Sequence, residues 1–385
     1  MTDPQQGHAA LVQSLDERGL LAPEWRSVWE RTPRHQFIPD RIWRQGPRRC
    51  EPITTDADRR ALISSDEPVV TQVDDGQEDG PGIASSSNSM PSMVAQMLRL
   101  LAVRDESRVL EIGTATGYVA ALLSARLGDR QVTSVEIDAS LSAQASRNLK
   151  AAGYAPTLVV ADGEHGYPAG APFDRLISTC ALRHVPIELV RQVKPGGILV
   201  APIAREFWSG ALVQLTVGES GDLARGPFMG GASYMPMRSH RAADAAPVDA
   251  SSSRSRWSAL DPRDLLNLPF ALYAGARLPG VSLVEGEHEG ALRVWLQDRH
   301  GSAAIADVDS ATVFGERDLW AEVQRVYEEF QDLGQLSVGD FSLEVTPAGD
   351  QIVLRSSEQA ISPAALGKLG PSSTPGLVVH DPAGQ

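Results

Sequence analysis

The sequence predicts an α/β fold, a mostly parallel sheet with helices on both faces, followed by a small C-terminal α+β segment. Three observations carry this. Between residues 108 and 217, short apolar runs alternate with stretches of helical spacing. The first of those runs, 108–112, ends in Gly113-Thr114-Ala115-Thr116-Gly117 and opens directly into a helix. After Gly218 the alternation stops, and hairpin-like strand pairs with one amphipathic helix take over.

From the N-terminus, residues 8–31 predict two short helices, broken at Gly19 and restarted after Pro23, with Leu11, Leu15, Trp25, Val28 and Trp29 buried. Residues 32–39, bounded by Pro33 and Pro39, predict an extended segment. Arg31, Arg34, Arg41, Arg44, Arg48 and Arg49 form a charge run that reads as a solvated surface, with a docking face for an acidic peptide as the functional alternative. Residues 66–80 carry six acids and no base, which predicts a solvated, mobile loop. The serine cluster that follows reads as linker and cap, with Ser89 or Ser92 capping a helix over 93–103. Strands are predicted at 108–112, 131–136, 157–161, 174–178 and 197–202, and helices at 117–127, 139–152 and 186–193. The Ala-, Ser- and Asp-rich residues up to 256 read as a linker. Beyond it, the spacing predicts a helix over 318–330 and a hairpin across Pro347 and Asp350. The division is therefore 1–83 for N-terminal helices and a substrate-side segment, 84–235 for a nucleoside-binding core, 236–256 for a linker, 257–360 for an α+β module and 361–385 for a disordered tail.

Composition narrows the function. A net charge of −14 argues against a general nucleic-acid binder, which needs a basic face to neutralise phosphates. Cys50 and Cys180 are too few for a disulfide framework or a cysteine-based zinc site, and no metal cluster stands out. No basic start with an apolar block suggests a signal peptide, and no apolar run approaches the ~20 residues of a membrane span. The expectation is a cytoplasmic protein without membrane, metal or nucleic-acid partners.

The stretch RVLEIGTATGY at 108–118 carries the chemistry. A buried strand that ends in a small-residue turn and opens a helix presents free backbone N–H groups to a ligand. Glu136 closes the next apolar run, at the spacing of an acid that holds ribose hydroxyls. In the dinucleotide register a third glycine or alanine is needed, and Tyr118 stands there instead. Glu111, two residues before Gly113, would repel a pyrophosphate but suits a cationic amino-acid ligand. S-adenosylmethionine, with a sulfonium, an ammonium and a ribose and no phosphate, fits these residues better than a nicotinamide dinucleotide.

Taken together, PRHQFIP at 33–39, SMPSMVAQML at 89–98, VLEIGTATGY at 109–118, SVEID at 134–138, ADGEHGYPAGAPFDRLIST at 161–179 and VKPGGILVAPI at 193–203 resemble the protein-L-isoaspartate O-methyltransferase family. The resemblance covers about residues 10–217. It implies a Rossmann-like class I methyltransferase sheet. WLQDRHGS and DLWAEVQRVYEEF resemble the C-terminal extension of actinobacterial members, many of which modify aspartates in ribosomally made lanthipeptides and graspetides. By this resemblance Gly113, Thr114, Ala115, Thr116, Gly117 and Tyr118 would wrap the cofactor. Glu136 and Ile137 would meet its ribose, and Asp162 and Gly163 would border the adenine. Ser89 would face the substrate carboxylate as the catalytic residue, flanked by Ser87, Asn88, Met90 and Pro91. Arg183 or His184 would recognise peptide backbone or a second acid.

Ala115 replaces the family's middle glycine, which is tolerable if its φ is negative. The insertion at 73–88 and the segment 179–186 depart from the repair enzymes on the substrate side. The expected activity is carboxyl O-methylation of Asp or isoAsp in a ribosomal peptide, with the ester closing to an aspartimide. General isoaspartate repair and a non-catalytic cofactor- or peptide-binding role are the alternatives.

Overall fold

A computed structural model describes residues 3–46, 49–242 and 245–364 of the chain. Arg48 of the arginine run and residues 365–385 of the predicted tail lie outside the described residues.

Helices α1 (Pro4–Glu17) and α2 (Pro23–Arg31) both start with proline in their first turn, where its missing N–H leaves no bond unmade. Leu11, Leu15, Trp25, Val28 and Trp29 are all buried. Residues 32–39 are not extended as predicted. Arg34–Phe37 makes a 3-10 turn that carries the Arg34 side chain inside, at 1% exposure.

A small antiparallel sheet follows, built from β1 (Trp43–Gln45), β2 (Cys50–Pro52), β3 (Val69–Val73) and β4 (Ala84–Asn88) in the order β2-β1-β3-β4, with α3 (Asp56–Ile63) between β2 and β3. The acidic stretch 66–80 is therefore not a mobile loop. Val69 and Val70 are buried strand residues, and Asp74 accepts the N–H groups of Gly82 and Ile83 at 2.8 Å each to close the hairpin. The serine cluster is likewise a strand rather than a cap. Helix α4 (Pro91–Leu101) starts without a capping serine side chain, and Asp66 from the preceding strand connection accepts the Ser92 N–H at 2.8 Å.

The central stretch forms β5 (Val109–Ile112), α5 (Tyr118–Leu127), β6 (Val132–Glu136), α6 (Ala139–Ala151), β7 (Thr157–Val160), β8 (Phe173–Ser178), α7 (Ile187–Arg191), β9 (Val193–Arg205), β10 (Trp208–Val217) and β11 (Ala224–Gly231). Strands β9, β8, β5, β6 and β7 are parallel neighbours in that order. Strand β5 has its sequence successor on one side and β8 on the other, so the chain switches direction at its carboxyl end and opens a crevice there. Alternate residues of these strands enter two different cores. Leu110, Leu176 and Leu199 face one, while Val109, Ile177 and Val200 face α1, α2, α4 and α5.

The C-terminal part comprises β12 (Arg254–Trp257), α8 (Pro262–Leu265), α9 (Leu268–Arg277), β13 (Ser282–His288), β14 (Ala291–Gln297), β15 (Ala303–Ala306), β16 (Ser310–Phe314), α10 (Leu319–Asp332), β17 (Phe341–Thr346), β18 (Gly349–Leu354) and β19 (Gln359–Ala360). Strands β12 to β16 make a five-stranded sheet, but β17 pairs with β11 and extends the central sheet to ten strands. Leu260, Phe270, Trp320 and Ile352 share one apolar cluster with Leu110 and Leu199. The segment 236–256 is not a free linker: Met237 is buried, Pro236 bridges Ala181, and Arg254–Trp257 pairs with β16. Its Ala, Ser and Asp content resembles a linker, whereas its two ends are held by backbone pairing. Of the predicted tail, Ile361 and Ala364 still donate N–H bonds to Ile352 and Arg277.

Candidate active site

The crevice at the end of β5 holds a cavity of about 690 Å³, walled by the 113–116 turn, Glu136, Ile137, Asp162, Gly163, the 83–90 strand end and residues 233–238. The turn is shaped by two glycines. Gly113 has φ +95°, and a Cβ there would stand 2.8 Å from Thr179 Oγ1. Gly117 has φ +83° at the start of α5, with Leu149 beneath it. Between them Ala115 has φ +46°, so the negative φ under which an alanine is readily tolerated is not what the chain adopts. The left-handed conformation turns the Ala115 N–H onto Glu136 Oε2 at 2.9 Å.

Glu136 is held by that bond and by the Asp138 N–H on Oε1 at 3.1 Å, one bond per oxygen. Each oxygen keeps acceptor capacity toward the cavity, which suits two adjacent hydroxyls. Asp162 caps the following turn by accepting the Glu164 N–H at 3.0 Å. Gly163 packs so tightly that a Cβ would meet Ile112 at 2.5 Å, and it lines the cavity beside Asp162.

Glu111 is fully buried on the cavity wall, and neither carboxyl oxygen has a well-formed hydrogen bond among the described residues. Burial pushes its pKa up to about 8, the Ser134 hydroxyl pulls it back, and Glu136 adds to the rise. Such a group lacks a cation, and a ligand ammonium would supply one. The buried carboxyl, the open lone pairs of Glu136 and the glycine-lined wall together fit S-adenosylmethionine.

Ser89, half-buried at the end of β4, lines the cavity with Ser87 and Met90. Asn88 also borders it, but its side chain is occupied. Its Oδ1 accepts Arg34 Nε at 2.7 Å, and its Nδ2 donates to Thr116 Oγ1 at 3.0 Å. It ties the serine strand to the glycine turn. Pro91 is buried at the first turn of α4, and Tyr118 is buried against Trp29 and Phe37. Cys180 also borders the cavity, and burial pushes its thiol up to about 11, so it is no thiolate at neutral pH.

Arg183 and His184 are not brought to this cavity. After Cys180 the chain turns away to pair with Met235 and Pro202 through the N–H groups of Ala181 and Leu182. Arg183 is paired to Glu206, and His184 stacks on His240 with ring centres 4.4 Å apart. Glu164 Oε1 lies 3.7 Å from His184 Nε2 and 3.8 Å from His240 Nε2. The three groups are spaced like metal ligands. However, His240 Nδ1 accepts the Arg183 N–H at 3.0 Å, which leaves the proton on Nε2 and no lone pair there for a metal.

Residues 233–238 line the cavity, although the sequence divides them between the core's end and a linker. Tyr234 and Arg238 are the functional candidates missed. Met-Pro-Met at 235–237, apolar on both sides of a proline, was the available signal that this stretch packs. Arg238 donates to Asp138 at 2.9 Å and pairs with Asp75 of the hairpin at 3.1 Å. Burial disfavours the Asp138 charge, but bonds from Ser140, Arg238, Gln72 and the Leu141 N–H hold its pKa well below the usual range.

A model of the protein-L-isoaspartate(D-aspartate) O-methyltransferase family matches residues 6–237, more than half of the chain. A protein-L-isoaspartate O-methyltransferase of Maricaulis maris is 38% identical over 197 residues, covering 51% of this chain and 78% of that one. Its counterpart in Methanopyrus kandleri is 34% identical over 235 residues, covering 59% and 89%. A solved protein-L-isoaspartate O-methyltransferase structure aligns with 90% of this chain and 99% of its own, at 19% identity and a TM-score of 0.53. At that identity the likeness speaks for the fold, and it extends over the C-terminal part.

Proposed function

We propose that this chain, which belongs to the protein-L-isoaspartate(D-aspartate) O-methyltransferase family, methylates the free carboxylate of an isoaspartyl or aspartyl residue in a flexible peptide. Family membership makes it a carboxyl methyltransferase that uses S-adenosylmethionine. The observation that carries the substrate reading is Ser89, a hydroxyl just past the end of β4 that lines the same cavity as the glycine turn.

The cofactor supplies an electrophilic methyl group on a sulfonium. The residues do the rest. Glu111 would receive the ammonium, Glu136 the ribose hydroxyls, and the cavity wall at Asp162 and Gly163 the base. A substrate carboxylate, with an ordinary pKa of ~3.9, is already ionised at neutral pH and needs no general base. Ser89 donates one hydrogen bond, which orients one oxygen while leaving the other to take the methyl. Partial desolvation in the cavity and alignment with the methyl supply the acceleration. The carboxylate oxygen left free by Ser89 would form the new C–O bond as the S–CH3 bond breaks, with S-adenosylhomocysteine as the leaving group. A following backbone amide can then attack the ester carbonyl and lose its proton, expelling methanol as the succinimide forms.

A second reading keeps the chemistry and narrows the substrate to an aspartate in a ribosomal precursor peptide. It is favoured by the β3–β4 hairpin, whose Ile83 to Ser87 line the cavity. The C-terminal part no longer favours it, because a solved member of the family shares that part's fold. The test supplies labelled S-adenosylmethionine with a generic isoaspartyl peptide, its aspartyl twin, or a precursor peptide encoded beside the gene. Turnover of the generic isoaspartyl peptide alone supports the broad reading, and methylation only on a precursor aspartate supports the narrow one.

A further inference from the structure

Arg238, on the cavity wall, joins three parts of the chain that the sequence keeps far apart. Its Nε lies 3.1 Å from Asp75 Oδ1, and its Nη2 donates to Asp138 Oδ2 at 2.9 Å and to Gln72 Oε1 at 3.3 Å. Gln72 Nε2 donates in turn to Asp138 Oδ2 at 3.1 Å, which closes the ring. Asp138 is the N-cap of α6. Its Oδ1 accepts the N–H groups of Ser140 at 2.9 Å and Leu141 at 3.2 Å, and its own N–H is the one that holds Glu136 Oε1. Glu136 and Leu141 both line the cavity. The backbone that carries Arg238 is fixed on both sides: the Met237 N–H donates to the Ala181 carbonyl at 2.9 Å, and His240 Nδ1 accepts the Arg183 N–H at 3.0 Å. Arg238 and Arg241 stand just past residue 237, where the match to the family model ends.

We propose that Arg238 is a positioning residue for the cofactor, which fixes Asp138 and through it Glu136, and ties that edge of the cavity to the β3–β4 hairpin. This rests on the reading of Glu136 as the ribose contact. A planar guanidinium serves two carboxylates and an amide oxygen in set directions at once. Asp75 and Asp138 share it, so its removal leaves two like charges close together. Asp138 is then free to turn from the hairpin, and the start of α6 and the N–H on Glu136 loosen with it. Arg241 is no substitute, because both of its bonds go to Asp75, at 2.6 and 2.8 Å. A loosened Glu136 must be ordered by the cofactor itself, which lowers affinity. The alignment of methyl and carboxylate, once the cofactor is seated, does not pass through Arg238.

The test is calorimetry of S-adenosylhomocysteine on the full chain, with kinetics on an isoaspartyl peptide. Arg238→Gln is expected to raise Kd and the cofactor KM about five- to tenfold, the weight of one hydrogen bond to a charged group. Its kcat at saturating cofactor should stay within about twofold. Arg241→Gln cuts the other ion pair of Asp75 but leaves Asp138 held, and should move Kd by less than about twofold. In an Asp138→Asn background, Arg238→Gln should add little, since the carboxylate it acts on is gone. If Arg238→Gln does not fold, Arg238→Lys carries the same test, with an expected loss of about threefold, because an ammonium lacks the fork. An unchanged Kd in the Arg238 variant, an equal loss in Arg241→Gln, or losses that multiply in the double variant overturn the proposal while leaving methyl transfer standing. A parent protein that binds no S-adenosylhomocysteine overturns the functional reading and this one with it.

Discussion

At the residue scale, Glu111 makes the sharpest prediction. In the folded protein its carboxyl holds a proton up to about pH 8, whereas unfolded it would lose it near 4.5. The proton-bound form therefore favours the fold at low pH, and that contribution fades as pH rises through about 8. An ammonium in the cavity reverses the preference. Cofactor binding below pH 8 should release about one proton, read from calorimetry in buffers of different ionisation enthalpy. Affinity should rise with pH up to that point, and Glu111→Gln should abolish the release. Release unchanged in Glu111→Gln would contradict the assignment. The sequence showed that an acid stands before the glycine turn, because strand, turn and helix announce themselves in eleven consecutive residues. It did not show the φ of Ala115, since the turn is bent by the Glu136 carboxylate from the next strand. Nor did it show Tyr234, which lines the same cavity from a position far along the chain.

At the scale of elements, the N-terminal sheet and the serine strand hang on Arg34. Its guanidinium donates to the carbonyls of Ile63, Ser65, Glu67, Asn88 and Ser89 and to the Asn88 side chain. Burial lowers its pKa to about 10, so it remains charged at neutral pH. Arg34→Leu leaves five buried or half-buried carbonyls without their donor and should destabilise the protein by about 3–5 kcal/mol in chemical denaturation. Arg34→Lys should recover little, because a point ammonium cannot reach so many acceptors at once. A loss under about 1 kcal/mol for Arg34→Leu would mean that water replaces the guanidinium. The sequence places this residue in a solvated charge run. Composition counts arginines, and only the 3-10 turn between two prolines decides that this one points inward. The parallel strands were legible for the opposite reason: apart from the half-exposed edge strand β7, each carries a short apolar run buried on both sides, and burial there needs no distant partner to be inferred.

At the scale of the whole molecule, the C-terminal segment reads as a separate module and is built as part of one body. Strand β17 continues the central sheet, and one apolar cluster runs from Leu110 to Ile352. Asp350 of the last hairpin also reaches back to Arg205 at 2.7 Å and to the Val185 N–H at 3.0 Å. Thermal unfolding should accordingly be one cooperative transition, with calorimetric and van't Hoff enthalpies in agreement. Two resolved transitions would restore the separate module. The sequence obscured this because strand pairing between β11 and β17 spans the intervening five-stranded sheet, and neither strand's pattern names its partner. No helix among the described residues is long and apolar enough to cross a membrane. The account as a whole stands on methyl transfer to a peptide carboxylate. Its most direct test is mass spectrometry of an isoaspartyl peptide and its aspartyl twin after incubation with the protein and isotopically labelled S-adenosylmethionine. The account predicts one labelled methyl ester on a carboxylate, sharply reduced by Ser89→Ala while cofactor binding persists. Cofactor binding with no label on any peptide carboxylate, including that of the precursor, would contradict it.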